Sequence, residues 1–185
     1  MRLSAPNPAP RVTLNDIEGK PITLGANAGR RTLLCFFRDA ACPFCNLRIY
    51  ELTARHAALQ QLGLDVVAVF TSDLAAVKRF VARKPRPFRI IADPTSTAHS
   101  VYGIERSFWG KLKGIVTRLP TAIKGLRLVG LAGLNTTNLM PADFLIDEHG
   151  DIREAWYGRD AGDRIPFERV ELFIAKGLLD RTRQS

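Results

Sequence analysis

The sequence predicts an α/β fold in which strands and helices alternate around a mixed sheet, and three observations carry that prediction. Two apolar runs rich in β-formers, RTLLCFF at residues 31–37 and LDVVAVF at 64–70, have the continuous hydrophobicity of strands buried on both faces. Between them, residues 43–62 keep an apolar spacing near the helical repeat, which makes strand, helix and strand one βαβ unit with its strands parallel neighbours. Residues 142–158, ADFLIDEHGDIREAWYG, read instead as two antiparallel strands joined by an Asp-Glu-His-Gly turn.

The remaining elements follow in order. Pro43 suits the first turn of the helix, Gly63 its stop, and Leu47, Tyr50 or Ile49, Leu52, Ala57, Leu59 and Leu62 its apolar face. Thr71, Ser72 and Asp73 are capping candidates for a second amphipathic helix that ends before Pro85. FRIIAD at 88–93 is the next strand, DPTSTAHSVYG supplies a turn and short helix, and a C-terminal helix covers about 166–179. Between them lies a basic insert at about 105–135. There Phe108, Leu112, Ile115, Val116, Leu119, Ile123 and Leu126 share a helical face, and Pro120 is placed to start a second helix. A helical pair capping the core is expected there, ahead of an active-site lid, a homodimer contact or an anionic-membrane foot. No repeat or long polar linker divides the chain, so residues 1–185 are expected to form one domain.

Composition narrows the function classes. With 185 residues, 46% hydrophobic and 24% charged, the chain has the balance of an ordinary folded domain and not of a disordered one. It shows no apolar signal region and no run of 18 apolar residues, so a cytoplasmic location is expected. The net charge of +9 admits nucleic acid, an anionic surface or an acidic partner. Its basic residues are scattered without interleaved aromatics, which weighs against nucleic acid and favours a solvated basic surface. Three cysteines are too few for a disulfide scaffold.

Two of those cysteines stand in CPFC, at the end of the first strand–helix loop. There the helix dipole and unsatisfied N–H groups favour thiolate, so Cys42 is the expected nucleophile. Cys45, about one turn later, is placed to attack a mixed disulfide or sulfenic acid on Cys42 and is the expected resolving thiol. A zinc site would need a second ligand pair, which Cys35 in mid-strand and the isolated His56, His99 and His149 do not supply; no metal is expected. Arg38, four residues before Cys42, is a candidate for favouring the thiolate, with Asp39 working against it.

The stretches PNPAPRVTLNDIEGKPITL, LLCFFRDAACPFCNLRIYEL, VFTSDLAAVKRFVARKPRPFRIIADPTSTAHSVYGI and MPADFLIDEHGDIREAWYG, in that order, resemble the peroxiredoxins, the alkyl hydroperoxide reductase and thiol-specific antioxidant family, in a branch with C-x-x-C. The resemblance implies a thioredoxin-like three-layer fold, a central mixed β-sheet flanked by helices, with the C-x-x-C at the start of the first main helix facing a cis-proline. Pro141, preceded by Met140, matches that proline; with Arg38, Pro43 and Phe44 these two are the candidate substrate-binding residues.

It also implies a thiol-dependent oxidoreductase acting on peroxide or disulfide, recycled by an external thiol reductant of the thioredoxin or glutathione kind and needing no cofactor. The chain departs from the family pattern Pro-x-x-x-Thr-x-x-Cys, carrying Cys35 at the proline position and Asp39 at the threonine position. The peroxide-binding hydroxyl is therefore absent, and an ionised Asp39 is expected to raise the Cys42 pKa. CPFC itself is similar to the glutaredoxin tetrapeptide, which favours disulfide exchange. The alternative is a redox-regulated interaction protein with little turnover.

Overall fold

The computed structural model describes residues 1–26, 29–105, 123, 124, 127 and 138–184. Its elements are β1 (Asn7–Pro8), β2 (Val12–Asn15), β3 (Pro21–Leu24), β4 (Arg31–Phe37), α1 (Pro43–Gln61), β5 (Leu64–Phe70), α2 (Leu74–Phe80), β6 (Arg89–Ala92), α3 (Thr97–Val101), β7 (Ala142–Ile146), β8 (Asp151–Tyr157) and α4 (Phe167–Gln184). The expected insert at 105–135 lies almost wholly outside the described residues.

A six-stranded mixed sheet runs in the order β1-β8-β7-β4-β5-β6. β4 and β5 pair in parallel, as their apolar runs predicted, and β7 pairs antiparallel with both β4 and β8. Side-chain alternation along β4 explains why it reads as continuously apolar. Leu33, Cys35 and Phe37 enter the core formed with α1, α2 and α4, while Leu34 and Phe36 enter a second core with Tyr102, Ala98 of α3 and Leu24 of β3. Helices thus cover both faces, in the three layers of a thioredoxin-like fold.

Several local signals act as predicted. The Asp73 carboxylate caps α2 by accepting the Ala76 N–H at 2.7 Å. Gly63 takes φ +81° after α1, a left-handed turn that suits glycine. In the β7–β8 turn Asp147 Oδ1 accepts the N–H groups of His149 and Asp151, both at 2.9 Å, and Gly150 adopts φ +88°.

Other expectations need correction. α2 stops at Phe80, and the next segment, held by the Arg86 Nε bond to the Val81 carbonyl at 2.9 Å, is not helical up to Pro85. The expected apolar face of α1 is buried in part: Ile49, Leu52 and Leu59 enter the core, but Tyr50 is 66% exposed, Ala57 and Leu62 are exposed, and polar Arg48 and His56 are buried instead. Arg48 is drawn inward because it donates to the Ile165 carbonyl at 2.8 Å and lies 3.9 Å over the Phe167 ring. The β2–β3 hairpin, which packs Leu24 onto the second core, was not among the expected elements.

Candidate active site

β4 delivers the chain to the loop Arg38–Cys42, and Pro43, with no N–H to lose, opens α1. Cys42 is the N-cap of α1, its φ of −67° and ψ of 124° still extended. The loop between is pinned at nearly every residue. Thr71 donates its N–H and Oγ1 to the Arg38 carbonyl, at 3.1 and 2.7 Å. Ala40 N–H donates to Ser72 Oγ at 2.8 Å, and the Asn46 amide donates to the Ala40 and Cys42 carbonyls at 2.6 and 3.1 Å. His99, buried, sets its Nε2 3.0 Å from the Phe37 carbonyl and its Nδ1 2.8 Å from Asp93. A loop with its backbone groups so satisfied holds one conformation, and the cysteine it presents is preorganised.

Cys42 and Cys45 are both reduced and both about 1% exposed. The first position of the pair is not exposed, because Cys42 packs within the core around α1. What separates the two thiols is electrostatics. A hydrogen bond from the Cys45 thiol, the charge of Arg38, and the backbone N–H groups of Cys45 and Phe44 outweigh desolvation and bring Cys42 down to about 6. Burial, and then the neighbouring Cys42, push Cys45 well above the ordinary thiol range. The Cys35 thiol is raised by burial and next by Asp143.

Cys42 is acidified with Asp39 three residues before it. The Asp39 carboxylate is turned back to accept the Ala41 N–H at 2.8 Å, so it serves as a turn residue.

Arg38 is buried, with Nη1 3.9 Å from Cys42 Sγ. Phe44 acts through its backbone N–H, and Pro43 through its place in the helix. Met140 and Pro141 enter β7 at the same end of the sheet as the cysteines, since Ala142 pairs with Phe36. The Met140–Pro141 bond is trans; the one cis bond among the described residues joins Ala5 and Pro6. Pro141 is occupied otherwise: its carbonyl accepts the Gly158 N–H at 2.8 Å, extending the β7–β8 pairing.

Sequence reasoning missed a second cation. Arg164 Nη1 donates to the Phe36 carbonyl at 2.9 Å and to Asp143 at 3.0 Å, with the guanidinium 3.9 Å over the Phe37 ring. Burial works against its charge, but Asp143 and the Cys45, Cys35 and Cys42 thiols favour it, and its pKa rises. Its Nη2 has no hydrogen-bond partner among the described residues. The available signal was Asp143, a charge in the middle of the apolar strand ADFLI. Among the described residues no cluster of three metal-ligating side chains occurs, and no helix is long and apolar enough to cross a membrane.

The model of the AhpC/TSA family matches residues 6–155. Peroxiredoxin Bcp of Escherichia coli (strain K12) is 28% identical over 111 residues, 59% of this chain and 71% of that protein. Peroxiredoxin Q, chloroplastic, of Oryza sativa subsp. japonica is 23% identical over 113 residues, 61% of this chain and 52% of that protein. The crystal structure of peroxidoxin BcpB from Mycobacterium tuberculosis superposes with a TM-score of 0.66 at 13% identity, covering 94% of this chain and 96% of that one. A putative thiol:disulfide interchange protein DsbE from Chlorobium tepidum gives a TM-score of 0.64 at 21% identity, covering 96% and 99%. At such identities the structures speak for the fold alone, whereas the family match spans most of the sequence: the chain belongs to the AhpC/TSA family and is a peroxiredoxin-like enzyme with a thioredoxin-like fold.

Proposed function

We propose that the chain, as one domain, is a thiol peroxidase that uses Cys42 and Cys45 as an intramolecular redox pair. The observation that carries this reading is the acidified Cys42 receiving a hydrogen bond from the Cys45 thiol, beside buried Arg38. At pH 7, a thiol with a pKa of about 6 is roughly nine-tenths thiolate. In the proposed cycle the Cys42 thiolate attacks one peroxide oxygen, the O–O bond breaks, and the alkoxide leaves as alcohol with the Cys45 proton. Cys42 is then a sulfenic acid. The Cys45 thiolate attacks its sulfur, hydroxide leaves as water with a proton from solvent, and a Cys42–Cys45 disulfide closes. An external dithiol, of the thioredoxin or glutathione-coupled kind, restores both thiols and is itself oxidised.

Two donors support the peroxide step in place of the absent threonine hydroxyl. Arg38 adjoins the sulfur, and Arg164 brings an Nη2 without a hydrogen-bond partner among the described residues to the same buried neighbourhood. A second reading, disulfide reduction by the same pair, is favoured by Asp39 at the position where the hydroxyl would stand and by the CPFC tetrapeptide. The two separate in one experiment: reduced protein is given hydrogen peroxide, cumene hydroperoxide or a glutathione mixed disulfide, with thioredoxin and with glutathione recycling. Faster peroxide turnover supports the first reading and faster disulfide turnover the second. Absence of both would leave a redox-regulated interaction protein.

A further inference from the structure

Three successive backbone carbonyls at the end of β4, those of Phe36, Phe37 and Arg38, are each held by a side-chain donor from elsewhere in the fold. Arg164 Nη1 reaches the first at 2.9 Å, His99 Nε2 the second at 3.0 Å, and Thr71 Oγ1 the third at 2.7 Å. The middle donor is an imidazole. A carbonyl can only accept, so Nε2 of His99 carries a hydrogen, and the ring is oriented through its other nitrogen, which lies 2.8 Å from Asp93 Oδ2.

Asp93 is itself fixed. Its N–H donates to the Phe70 carbonyl at 2.7 Å, at the end of β5, and its carboxylate accepts the N–H groups of Thr97 at 2.8 Å and of His99 at 3.2 Å. Asp93 and His99 are each about 1% exposed, and the imidazole stands nearly perpendicular to the Phe36 ring, with centroids 4.9 Å apart. A buried polar pair with its hydrogen bonds made and a ring packed against it has one geometry to offer. That geometry holds the peptide joining Phe37 to Arg38, while Thr71 holds the next carbonyl, so the peptide planes on both sides of the Arg38 Cα are fixed. From that fixed backbone the Arg38 guanidinium reaches Cys42, with Nη1 3.9 Å from Sγ.

We propose that His99 is a positioning residue for the thiol reaction: through the Phe37 carbonyl it sets the direction of Arg38, and through Arg38 the reactivity of Cys42. Asp93 supports it by turning the donor nitrogen toward that carbonyl. The inference rests on the reading of Cys42 as the reacting thiol, but alkylation of that thiol measures it, with no peroxide and no reductant.

The test is the pH profile of iodoacetamide alkylation in the full reduced chain carrying Cys45→Ser, alone and with His99→Asn or His99→Gln. An Asn amide reaches about as far as the imidazole Nδ1 and a Gln amide about as far as Nε2, so Asn keeps the Asp93 contact and loses Phe37, whereas Gln keeps a donor on the Phe37 carbonyl. His99→Asn is expected to raise the Cys42 inflection by about 0.5–1 unit, and His99→Gln to leave it close to the parent. With Arg38→Met also present, His99→Asn is expected to add nothing, because a residue that acts through Arg38 then has nothing to act on. An unmoved inflection in His99→Asn, the same rise in Asn and Gln, or the same rise with and without Arg38 would overturn the proposal, the last two being the marks of a role in stability alone. A measurement on the unsubstituted chain stands beside the variants: 15N-edited spectra at neutral pH should show His99 Nε2 bearing its hydrogen, and an Nε2 with a free lone pair would overturn the proposal without any substitution. A parent chain whose Cys42 shows no acidified inflection would instead overturn the reading of Cys42 on which the proposal rests.

Discussion

The Nη1 of Arg38 lies 3.9 Å from the Sγ of Cys42, with both residues buried. A guanidinium at that distance in a site sheltered from water favours thiolate over thiol and is little weakened by salt. Arg38→Met is therefore expected to raise the Cys42 pKa by about 1–2 units and to slow alkylation at neutral pH by about two- to tenfold. The check is the rate of iodoacetamide alkylation against pH in Cys45→Ser and Cys45→Ser/Arg38→Met protein. An unmoved inflection would show that Arg38 does not contribute to the thiolate.

Asp143 and Arg164 form a buried ion pair at 3.0 Å, and Asp143 also accepts the Ile165 N–H at 2.9 Å. Asp143→Ala strands a buried guanidinium and an amide together, and is expected to cost about 3–5 kcal/mol of stability. Urea unfolding measures it; a loss under about 1 kcal/mol would mean the arginine escapes to water.

The cysteines also set a pH signature on stability. Cys42 titrates near 6 when folded and near the ordinary thiol value of 9.0 when unfolded. A depressed acid contributes stability that is complete above the unfolded value and lost as pH falls through the folded one. Cys45 and Cys35, raised when folded, act oppositely and remove stability above the ordinary value of 9.0. Unfolding free energy of the reduced protein should therefore gain from Cys42 between about pH 6 and 9 and decline beyond. Subtracting the Cys42→Ser curve isolates the rising limb, and a difference curve flat across that interval would contradict the acidified thiolate.

Much of this was legible in the sequence, and the reasons are local. β4 and β5 announce themselves because both faces of each strand are buried, and α1 is bounded by Pro43 and Gly63, whose backbone preferences suit a start and a stop. The C-x-x-C could be read because its chemistry depends on spacing along one helix. Arg164 and Asp143 were not readable as a pair: they lie 21 residues apart and meet only when β8 has folded onto β7. His99 belongs to the same class, since its partner across the fold is the Phe37 carbonyl, 62 residues away. The hairpin of β2 and β3 gave a weak signal because half its residues face solvent. Pro141 misled because a family match in sequence does not fix an isomer.

The central claim is that Cys42 reacts first and Cys45 resolves, and intact-mass analysis after one equivalent of hydrogen peroxide tests it most directly. Wild type should lose two hydrogens as the Cys42–Cys45 disulfide closes. Cys45→Ser should gain oxygen, retained as sulfenic or sulfinic acid for want of a resolving thiol, and Cys42→Ser should stay unmodified over the same interval. Oxidation of Cys42→Ser at the wild-type rate, with Cys45→Ser inert, would reverse the two roles and contradict the account.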